Sequence, residues 1–292
     1  MRVLITGAGG QLGRALLALA PRDTSAQGVS HEQLDIADPA AVDSVVREFG
    51  PDVLINAAGF TRVDDAETER EAAERANATG PAVLAAASRS AGAWLVQVST
   101  DYVFDGEHGR PYLPAARTNP LSVYGKTKLQ GELAVTRELP AQSTVVRTSW
   151  LYAAEGRNFL TTMLRLMKNR PQLSVVSDQI GAPTNVTGLA RVLWAFALRR
   201  ASGLYHWCDS GVASWYDFAV AIGEEAVALG VLSSGPPILP ITSADYPTAA
   251  RRPPYSLLEK RDTERLLGLT APHWRHALRE TLATLATAGA PR

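Results

Sequence analysis

Tyr124 and Lys128 are two residues whose types and spacing could carry out a proton transfer. The chain after Pro120 is predicted to form a helix that runs to Leu139, and side chains four residues apart lie on the same helix face. A phenol has an ordinary pKa near ~10, and an adjacent ammonium would stabilise its anion, so the pair could exchange a proton with a reacting oxygen. A half-buried Tyr beside a solvated Lys has the same spacing, so the surrounding elements must decide between the two interpretations.

A glycine-rich loop lies between a predicted strand and a predicted helix near the N-terminus. The strand is Arg2–Thr6, and the loop that follows reads Gly-Ala-Gly-Gly-Gln-Leu-Gly at residues 7–13. Glycines at 7, 10 and 13 allow a tight turn and a close approach of the backbone to a pyrophosphate, while the helix N-terminus supplies free N–H groups. The order of strand, glycine loop and helix therefore predicts dinucleotide binding.

The end of the second predicted strand bears on the choice of cofactor. An acidic residue about 20 residues after the glycine loop usually binds the 2′-hydroxyl of the adenine ribose. Here the strand at residues 25–30 ends at Ser30, which His31 follows, so no Asp or Glu stands at that point. Arg14 stands just after the last glycine, where a guanidinium could meet a 2′-phosphate. These residues favour NADPH, although Glu32 is close enough to keep NADH as an alternative.

Strands and helices alternate along the first half of the chain at intervals of about thirty residues, which predicts an α/β fold with a Rossmann-like doubly wound parallel sheet. We expect residues 1–150 to form a dinucleotide-binding domain whose sheet is completed by parts of residues 185–208. Residues 151–292 are expected to form mainly a smaller C-terminal α/β lobe that binds the substrate. A helix is predicted from Asp38 and Pro39 to Phe49.

Ligands of open α/β sheets bind at the carboxyl ends of the strands. Residues 57–59 are Ala, Ala and Gly after a predicted strand at 52–56, and such small residues would let a flat ligand lie against the backbone. Thr100 is predicted just past the strand at 94–98, and Trp150 at the end of the strand at 145–150. Residues 104–121 contain no predicted element and are long enough to cover a substrate.

Charge and cysteine content exclude some classes of partner. Lys and Arg together number 29, as do Asp and Glu, so the net charge is zero and does not favour nucleic acid or an anionic membrane. The chain has one cysteine, which rules out an intrachain disulfide, and we expect a cytoplasmic protein. The charge run at residues 67–75 is interpreted as a solvated helix face. Arg251 and Arg252, followed by two prolines, could bind a diphosphate or form a solvated basic loop.

Several motifs resemble one family along nearly the whole chain. They are GAGGQLG at 7–13, DI at 35–36, NAAGFTRVDDAE at 56–67, STDYVFDG at 99–106, YGKTKLQGE at 124–132, RTSWLY at 147–152, DQIGAPT at 178–184 and YPTAARRP at 246–253. The glycine loop, Thr100 and the Tyr–Lys pair are similar to those of the extended short-chain dehydrogenase/reductase superfamily. The STDYVF, DQIGAPT and ARRP segments narrow the resemblance to the dTDP-4-dehydrorhamnose reductase family.

The resemblance implies that Thr100, Tyr124 and Lys128 are catalytic. Tyr124 would protonate the oxygen at C4 of a dTDP-4-keto-6-deoxyhexose, Lys128 would stabilise the tyrosinate and hold the nicotinamide ribose, and Thr100 would orient the carbonyl. NADPH, with NADH possible, would be bound by Gly7, Gly10, Gln11, Leu12, Gly13, Arg14, Asp35, Ile36, Ala57, Ala58, Gly59, Tyr124 and Lys128. The substrate would contact Asp101, Tyr102, Trp150 and Arg252.

Departures from related patterns narrow the expected function. Nucleotide-sugar 4,6-dehydratases carry Thr-Asp-Glu where this chain has Tyr102 in the third position, which argues against dehydration. Some relatives have acidic residues that build a metal-bridged dimer, whereas the matching positions here are Ala15 and Thr187. We therefore expect no metal, and a monomer or weak dimer.

Two alternatives to a dTDP-L-rhamnose-forming enzyme stay open. One is a 4-ketoreductase that acts on another dTDP-deoxysugar of a specialised glycoside. The other is a non-catalytic regulatory subunit with the same fold. Trp150 at the pocket and the intact ARRP segment favour turnover over regulation, because a regulator has no need of a hexose site.

Overall fold

The computed structural model describes residues 1–289 and has a parallel sheet at its centre. The strands are β1 Arg2–Thr6, β2 Ser25–Val29, β3 Val53–Asn56, β4 Trp94–Thr100, β5 Ser143–Thr148, β6 Leu151–Tyr152, β7 Leu173–Val176, β8 Ile180–Gly181, β9 Thr184–Asn185, β10 Gly203–His206, β11 Ala213–Ser214 and β12 Ile238–Ile241. Within the described residues, six of them form this sheet in the order β10-β5-β4-β3-β1-β2, with every pair parallel.

Helices cover the sheet and build the rest of the molecule. They are α1 Gln11–Ala18, α2 Pro39–Phe49, α3 Arg70–Glu74, α4 Gly80–Ala91, α5 Val123–Glu138, α6 Phe159–Asn169, α7 Val186–Arg199, α8 Trp215–Ala228, α9 Arg261–Leu267 and α10 Trp274–Gly289. A π-helical turn, Arg75–Thr79, joins α3 to α4. None of the helices in residues 1–289 has the length and apolar character that crossing a bilayer requires.

The strands are apolar on both sides because each face of the sheet is covered. Val3 and Ile5 of β1 join a cluster with α1 and α7, while Leu4 between them joins a cluster with α2, α4 and α5. The same alternation holds in β3, where Val53 and Ile55 share the first face and Leu54 lies on the second. This period of two on a doubly covered parallel sheet confirms the predicted α/β fold.

The strand order places a ligand crevice between β1 and β3. The chain runs from β1 outward to β2, then returns to β3 on the other side of β1 and continues outward through β4 and β5. Open sheets bind ligands at such a reversal, at the carboxyl ends of the strands. The last strand of the sheet, β10, comes from much later in the chain and pairs with β5 at one edge.

A second hydrophobic cluster lies outside the sheet. It joins α6, α8 and α10 around buried residues such as Leu160, Phe218 and Leu278. The predicted division into a cofactor domain and a substrate lobe stays a prediction, and residues 290–292 of that lobe lie outside the described residues.

The loop at residues 104–121 folds back on the protein. Tyr112 stacks on Phe104 with ring centroids 4.1 Å apart, and its hydroxyl donates to Asp105 Oδ1 at 2.8 Å. Tyr112 also forms a bridge with Leu258, so the loop is anchored at its middle. Its role as a substrate cover stays a prediction.

Candidate active site

The helix α5 carries Tyr124 at its second position and begins where the sequence predicts. The side chain of Ser122 caps it by accepting from the backbone N–H of Gly125 at 3.2 Å. A Cβ on Gly125 would lie 2.2 Å from the carbonyl oxygen of Tyr102, which only a glycine avoids. The helix therefore lies directly against the turn that follows β4.

That turn begins with Thr100 and Asp101 at the carboxyl end of β4. Thr100 is the last residue of the strand rather than just past it, and its hydroxyl donates to Asp101 Oδ1 at 3.0 Å. The Thr100 hydroxyl is also a neighbour of the Tyr124 phenol and lowers its pKa. Asp101 is 1% exposed, and burial raises the pKa of its carboxyl to about 6. The structure thus brings the predicted alcohol, phenol and carboxyl together.

Burial controls the titration of both Tyr124 and Lys128. It raises the pKa of Tyr124 to about 12, a shift that the neighbouring Thr100 hydroxyl opposes. It lowers the pKa of Lys128 to about 8, a shift that the nearby Glu132 carboxylate opposes. The Lys128 Nζ donates to the carbonyl of Val98 at 2.7 Å, so the ammonium contacts the sheet backbone. Tyr124 is consequently protonated near neutral pH, as a proton donor must be.

The predicted substrate residues Tyr102 and Arg252 lie beside this group. The rings of Tyr102 and Tyr124 meet edge to face with centroids 5.5 Å apart. Arg252 is a neighbour of Tyr102, and burial raises the pKa of that phenol above its ordinary value. The Arg252 guanidinium donates to both carboxylate oxygens of Asp64, at 3.1 and 2.7 Å.

Trp150 departs from its predicted place at the end of a strand. The strand β5 ends at Thr148, and Trp150 follows with a left-handed backbone at φ 46°. Its ring stacks on Trp215 with centroids 3.6 Å apart, and it covers Gly181 so closely that a Cβ there would lie 2.8 Å from the indole. The strain of a non-glycine residue with positive φ is offset by this packing.

The glycine loop has the shape that a dinucleotide pyrophosphate requires. Gly7 has φ 73°, and a Cβ on Gly13 would lie 2.2 Å from the carbonyl oxygen of Gly7. Gly10 caps α1 without a side-chain hydrogen bond, so the first N–H groups of that helix have no side-chain acceptor there. Free N–H groups at a helix N-terminus attract a phosphate, and the residues present therefore fit the cofactor.

The other predicted cofactor residues surround the same edge of the sheet. Arg14 donates to the carbonyl of Gly9. Asp35 accepts from Arg75 at 2.7 Å, and its pKa is lowered by the backbone N–H of Ala37 and by Arg75. Ala57 follows β3, and its N–H donates to the carbonyl of Thr6 at 3.2 Å. Their contacts with a bound cofactor stay predictions.

Comparison with known proteins adds independent findings. Residues 1–287 match a family model described as "RmlD substrate binding domain". The chain is 42% identical to dTDP-4-dehydrorhamnose reductase of Aggregatibacter actinomycetemcomitans over 97% of this chain and 98% of that one. The chain belongs to the dTDP-4-dehydrorhamnose reductase family. The resemblance stated from the motifs is therefore confirmed.

Solved structures agree with this membership. A dTDP-4-dehydrorhamnose reductase from Clostridium acetobutylicum is 40% identical, has a TM-score of 0.91 and is matched over 98% of this chain and 99% of that chain. The dTDP-4-dehydrorhamnose reductase from Bacillus anthracis in complex with NADP is 38% identical, also with a TM-score of 0.91, over 97% of this chain and 99% of that chain.

In this member of the dTDP-4-dehydrorhamnose reductase family, three residues near the site have contacts that the sequence does not predict. The prediction that Glu67 belongs to a solvated helix face is wrong, because its carboxylate accepts from the backbone N–H of Val123 at 2.8 Å. Asp64 and Trp215 had no predicted role, and they contact Arg252 and Trp150. Asp64 lies in the motif NAAGFTRVDDAE at 56–67, and that motif is the signal that could have found it.

Ala15 and Thr187, the positions that match the metal-bridging acids of some family members, lie on α1 and α7. In residues 1–289, no group of three or more His, Cys, Asp or Glu side chains could hold a metal ion. The expected absence of a metal-bridged dimer stays a prediction.

Proposed function

We propose that this protein reduces the C4 ketone of dTDP-4-dehydrorhamnose to give dTDP-L-rhamnose, with NADPH as reductant. The observation that carries the proposal is the partly buried Tyr124 beside Thr100 at the carboxyl end of β4, in a chain 42% identical over nearly its whole length to a protein of that name. The NADP complex of the Bacillus anthracis relative supports the choice of cofactor.

The residues of the glycine loop would hold the pyrophosphate of NADPH. Gly7, Gly10 and Gly13 leave room for it, and the first N–H groups of α1 would bind its oxygens. The small residues Ala57 and Ala58 would lie against the cofactor at the end of β3. When bound, the cofactor supplies the two electrons and the hydrogen that reduce C4. NADH stays an alternative, because Glu32 stands close to the end of the second strand, where an acidic residue could bind the ribose 2′-hydroxyl.

Tyr124 would donate its phenolic proton to the oxygen at C4 as that oxygen gains negative charge. A positioned acid of this kind contributes typically ~10²–10⁴-fold to the rate. The Thr100 hydroxyl would donate a second hydrogen bond to the same oxygen and fix its orientation. The ammonium of Lys128, buried one helical turn after Tyr124, would stabilise the tyrosinate that remains and hold the nicotinamide ribose.

The remaining predicted contacts would recognise the nucleotide sugar. Asp101, Tyr102 and Trp150 would line the hexose site, and Arg252 would bind the nucleotide diphosphate. A guanidinium suits this task because its fork of N–H donors matches phosphate oxygens. The side chain of Arg252 is only 19% exposed, so its contact with an anion would be weakly screened by salt.

The test is NADPH oxidation with enzymatically generated dTDP-4-dehydrorhamnose, followed by identification of the product. Tyr124→Phe should abolish turnover while NADPH still binds. Tyr205→Phe is the matched control, because that hydroxyl donates to the carbonyl of Ser202 near the surface. Near-normal activity of Tyr124→Phe would remove Tyr124 from the acid role. Turnover of another dTDP-4-keto sugar in place of dTDP-4-dehydrorhamnose would change the proposed substrate, and NADPH binding without any turnover would favour the regulatory subunit.

The cytoplasmic location, the lack of nucleic-acid partners and the monomeric or weakly dimeric state stay predictions from the sequence.

A further inference from the structure

One turn carries two carboxylates that reach different parts of the site. Asp64 accepts from Arg252 Nη2 at 2.7 Å, and Glu67 accepts from the backbone N–H of Val123 at 2.8 Å. Val123 is the first residue of α5 and directly precedes Tyr124. The same turn therefore contacts both the proposed diphosphate ligand and the helix of the proposed acid.

At the first end of this turn, Asp64 holds both the guanidinium of Arg252 and the backbone beside it. The two N–H groups of the guanidinium meet the two carboxylate oxygens at 3.1 and 2.7 Å, and Asp64 Oδ1 also accepts from the N–H of Ala250 at 3.1 Å. Arg252 Nη1 donates in addition to the carbonyl of Ala250 at 3.3 Å. Arg252 lowers the pKa of Asp64, so the carboxylate is charged at neutral pH. Such a fork fixes the plane of the guanidinium as well as its position.

The end at Glu67 is tied to the catalytic helix. The first N–H groups of a helix have no partner within it, so a carboxylate at that point satisfies a free donor and the positive end of the helix dipole. The turn itself is closed by a hydrogen bond from the N–H of Glu67 to the carbonyl of Asp64 at 3.1 Å. Ala66 between them is fully buried, so the turn cannot rotate freely.

We propose that Asp64 and Glu67 are positioning residues that set where the nucleotide diphosphate lies relative to Tyr124. This inference rests on the proposed function, because it takes Arg252 to bind the diphosphate of the substrate. Neither carboxylate contacts the reacting atoms. A rigid turn between Arg252, which would bind the substrate diphosphate, and α5, which carries Tyr124, fixes how C4 approaches the phenol. Alignment of this kind governs much of an enzyme's rate.

If Asp64 only stabilised the fold, its replacement would lower the melting temperature and would not change substrate binding. Asp64 has a side chain that is 42% exposed, and ion pairs of such exposure contribute little to stability. Loss of its charge should therefore change the melting temperature by less than about 3 °C. Its effect should be found instead in substrate binding.

The first test compares Asp64→Asn with Asp65→Asn. Asp65 is the matched control because its partner Arg62 is on the surface, with about half of each side chain exposed (52% and 49%). Asp64→Asn should raise KM for dTDP-4-dehydrorhamnose about tenfold or more, since charge-assisted hydrogen bonds orient the guanidinium. Asp65→Asn should leave KM within twofold. In an Arg252→Ala background, Asp64→Asn should have no further effect on KM.

The second test concerns the other end of the turn. Glu67→Ala should lower kcat about tenfold with little change in KM, because it frees the first turn of α5. Glu67→Gln should restore kcat, because its amide oxygen still accepts from Val123. An unchanged kcat in Glu67→Ala would overturn the role of Glu67.

The inference as a whole fails under three results. The first is an unchanged KM in Asp64→Asn. The second is a lower KM in that variant, which would mean that Asp64 competes with the substrate for Arg252. The third is an effect of Asp64→Asn on KM that is equally large in the wild type and in the Arg252→Ala background. Calorimetric titration with dTDP separates this failure from that of the proposed function, because dTDP binding needs no turnover. Equal dTDP affinity of the wild type and Asp64→Asn overturns the inference alone. Wild-type binding of dTDP without reduction of the keto sugar overturns the proposed substrate alone.

Discussion

Replacement of Gly125 by Ala should impair catalysis even though alanine is the better helix former. The added Cβ would lie 2.2 Å from the carbonyl oxygen of Tyr102 and 3.0 Å from Pro120 Cβ. Real Cβ contacts essentially never fall below 3.0 Å, so α5 and the turn after β4 must separate by about 0.8 Å. Since the contacting atom of Tyr102 belongs to the backbone, no side-chain rotation can relieve the clash.

This displacement acts on the reacting groups directly. Tyr124 precedes Gly125, and its neighbour Thr100 begins the turn that is pushed away. A misplacement of about 1 Å can cost ~10²-fold in rate, so we expect kcat to fall on the order of 10²-fold. Overpacking costs about 1–3 kcal/mol of unfolding free energy, and the better helix propensity of alanine returns about 1 kcal/mol, so the free energy of unfolding should fall by no more than about 2 kcal/mol.

The measurements are NADPH oxidation at saturating substrate, NADPH affinity by fluorescence and the urea midpoint. Lys126→Ala is the control, because the next residue along α5 is exposed and tests helix propensity without the contact. Wild-type kcat in Gly125→Ala would refute the argument that close contact between α5 and the turn places Tyr124. A loss of NADPH binding equal to the loss of kcat would also refute it, by showing a general disturbance of the crevice.

Three further predictions follow from contacts in and beside the site. Glu132→Gln should lower the free energy of unfolding by about 3–5 kcal/mol in urea titrations. Glu132 and Arg147 form a bidentate ion pair whose side chains are 5% and 3% exposed, and the variant leaves the buried positive charge of the guanidinium without its partner. The value of kcat/KM should fall as pH rises through about 8. Burial lowers the pKa of Lys128 to about 8, so the ammonium is present below that pH and lost above it. A flat profile of kcat/KM from pH 7 to 9.5 would contradict this prediction. Gly13→Ala should raise the Kd for NADPH at least tenfold in fluorescence titrations, whereas Gly9→Ala should leave it near the wild-type value, because a Cβ at 13 would lie 2.2 Å from backbone and one at 9 would meet only Ser30 Cβ at 3.7 Å.

Elements with local signals could be predicted closely from the sequence. The helix α2 begins at Pro39 with Asp38 as its cap, whose side chain accepts from the N–H of Ala40 at 3.0 Å. It ends at Phe49, and Gly50 follows in a left-handed conformation. These signals act within a few residues, so neighbours along the chain contain all the information. The Tyr–Lys spacing is local in the same sense, and α5 places both residues as expected.

Features that depend on distant partners could not be predicted. Asp64 meets Arg252 across 188 residues of sequence, and a charged residue gives no sign of which opposite charge the fold will bring to it. The burial of Lys128, which is 8% exposed, also arises from packing between α5 and the sheet rather than from its neighbours along the chain. The left-handed backbone of Trp150 depends on Trp215 and Gly181, which the chain supplies later.

The late arrival of α7 and β10 has a consequence for synthesis of the protein. The first five strands of the sheet are complete at residue 148, but the helix that covers one face and the strand that closes one edge come from residues 186–206. Leu189, Leu193 and Phe196 of that helix are fully buried against the sheet. A chain that ends at residue 150 would expose an apolar face and the open edge of β5, which is a template for aggregation. The emerging polypeptide therefore needs protection until about residue 206 has left the ribosome, and the cofactor-binding half should not be obtainable as a separate folded fragment.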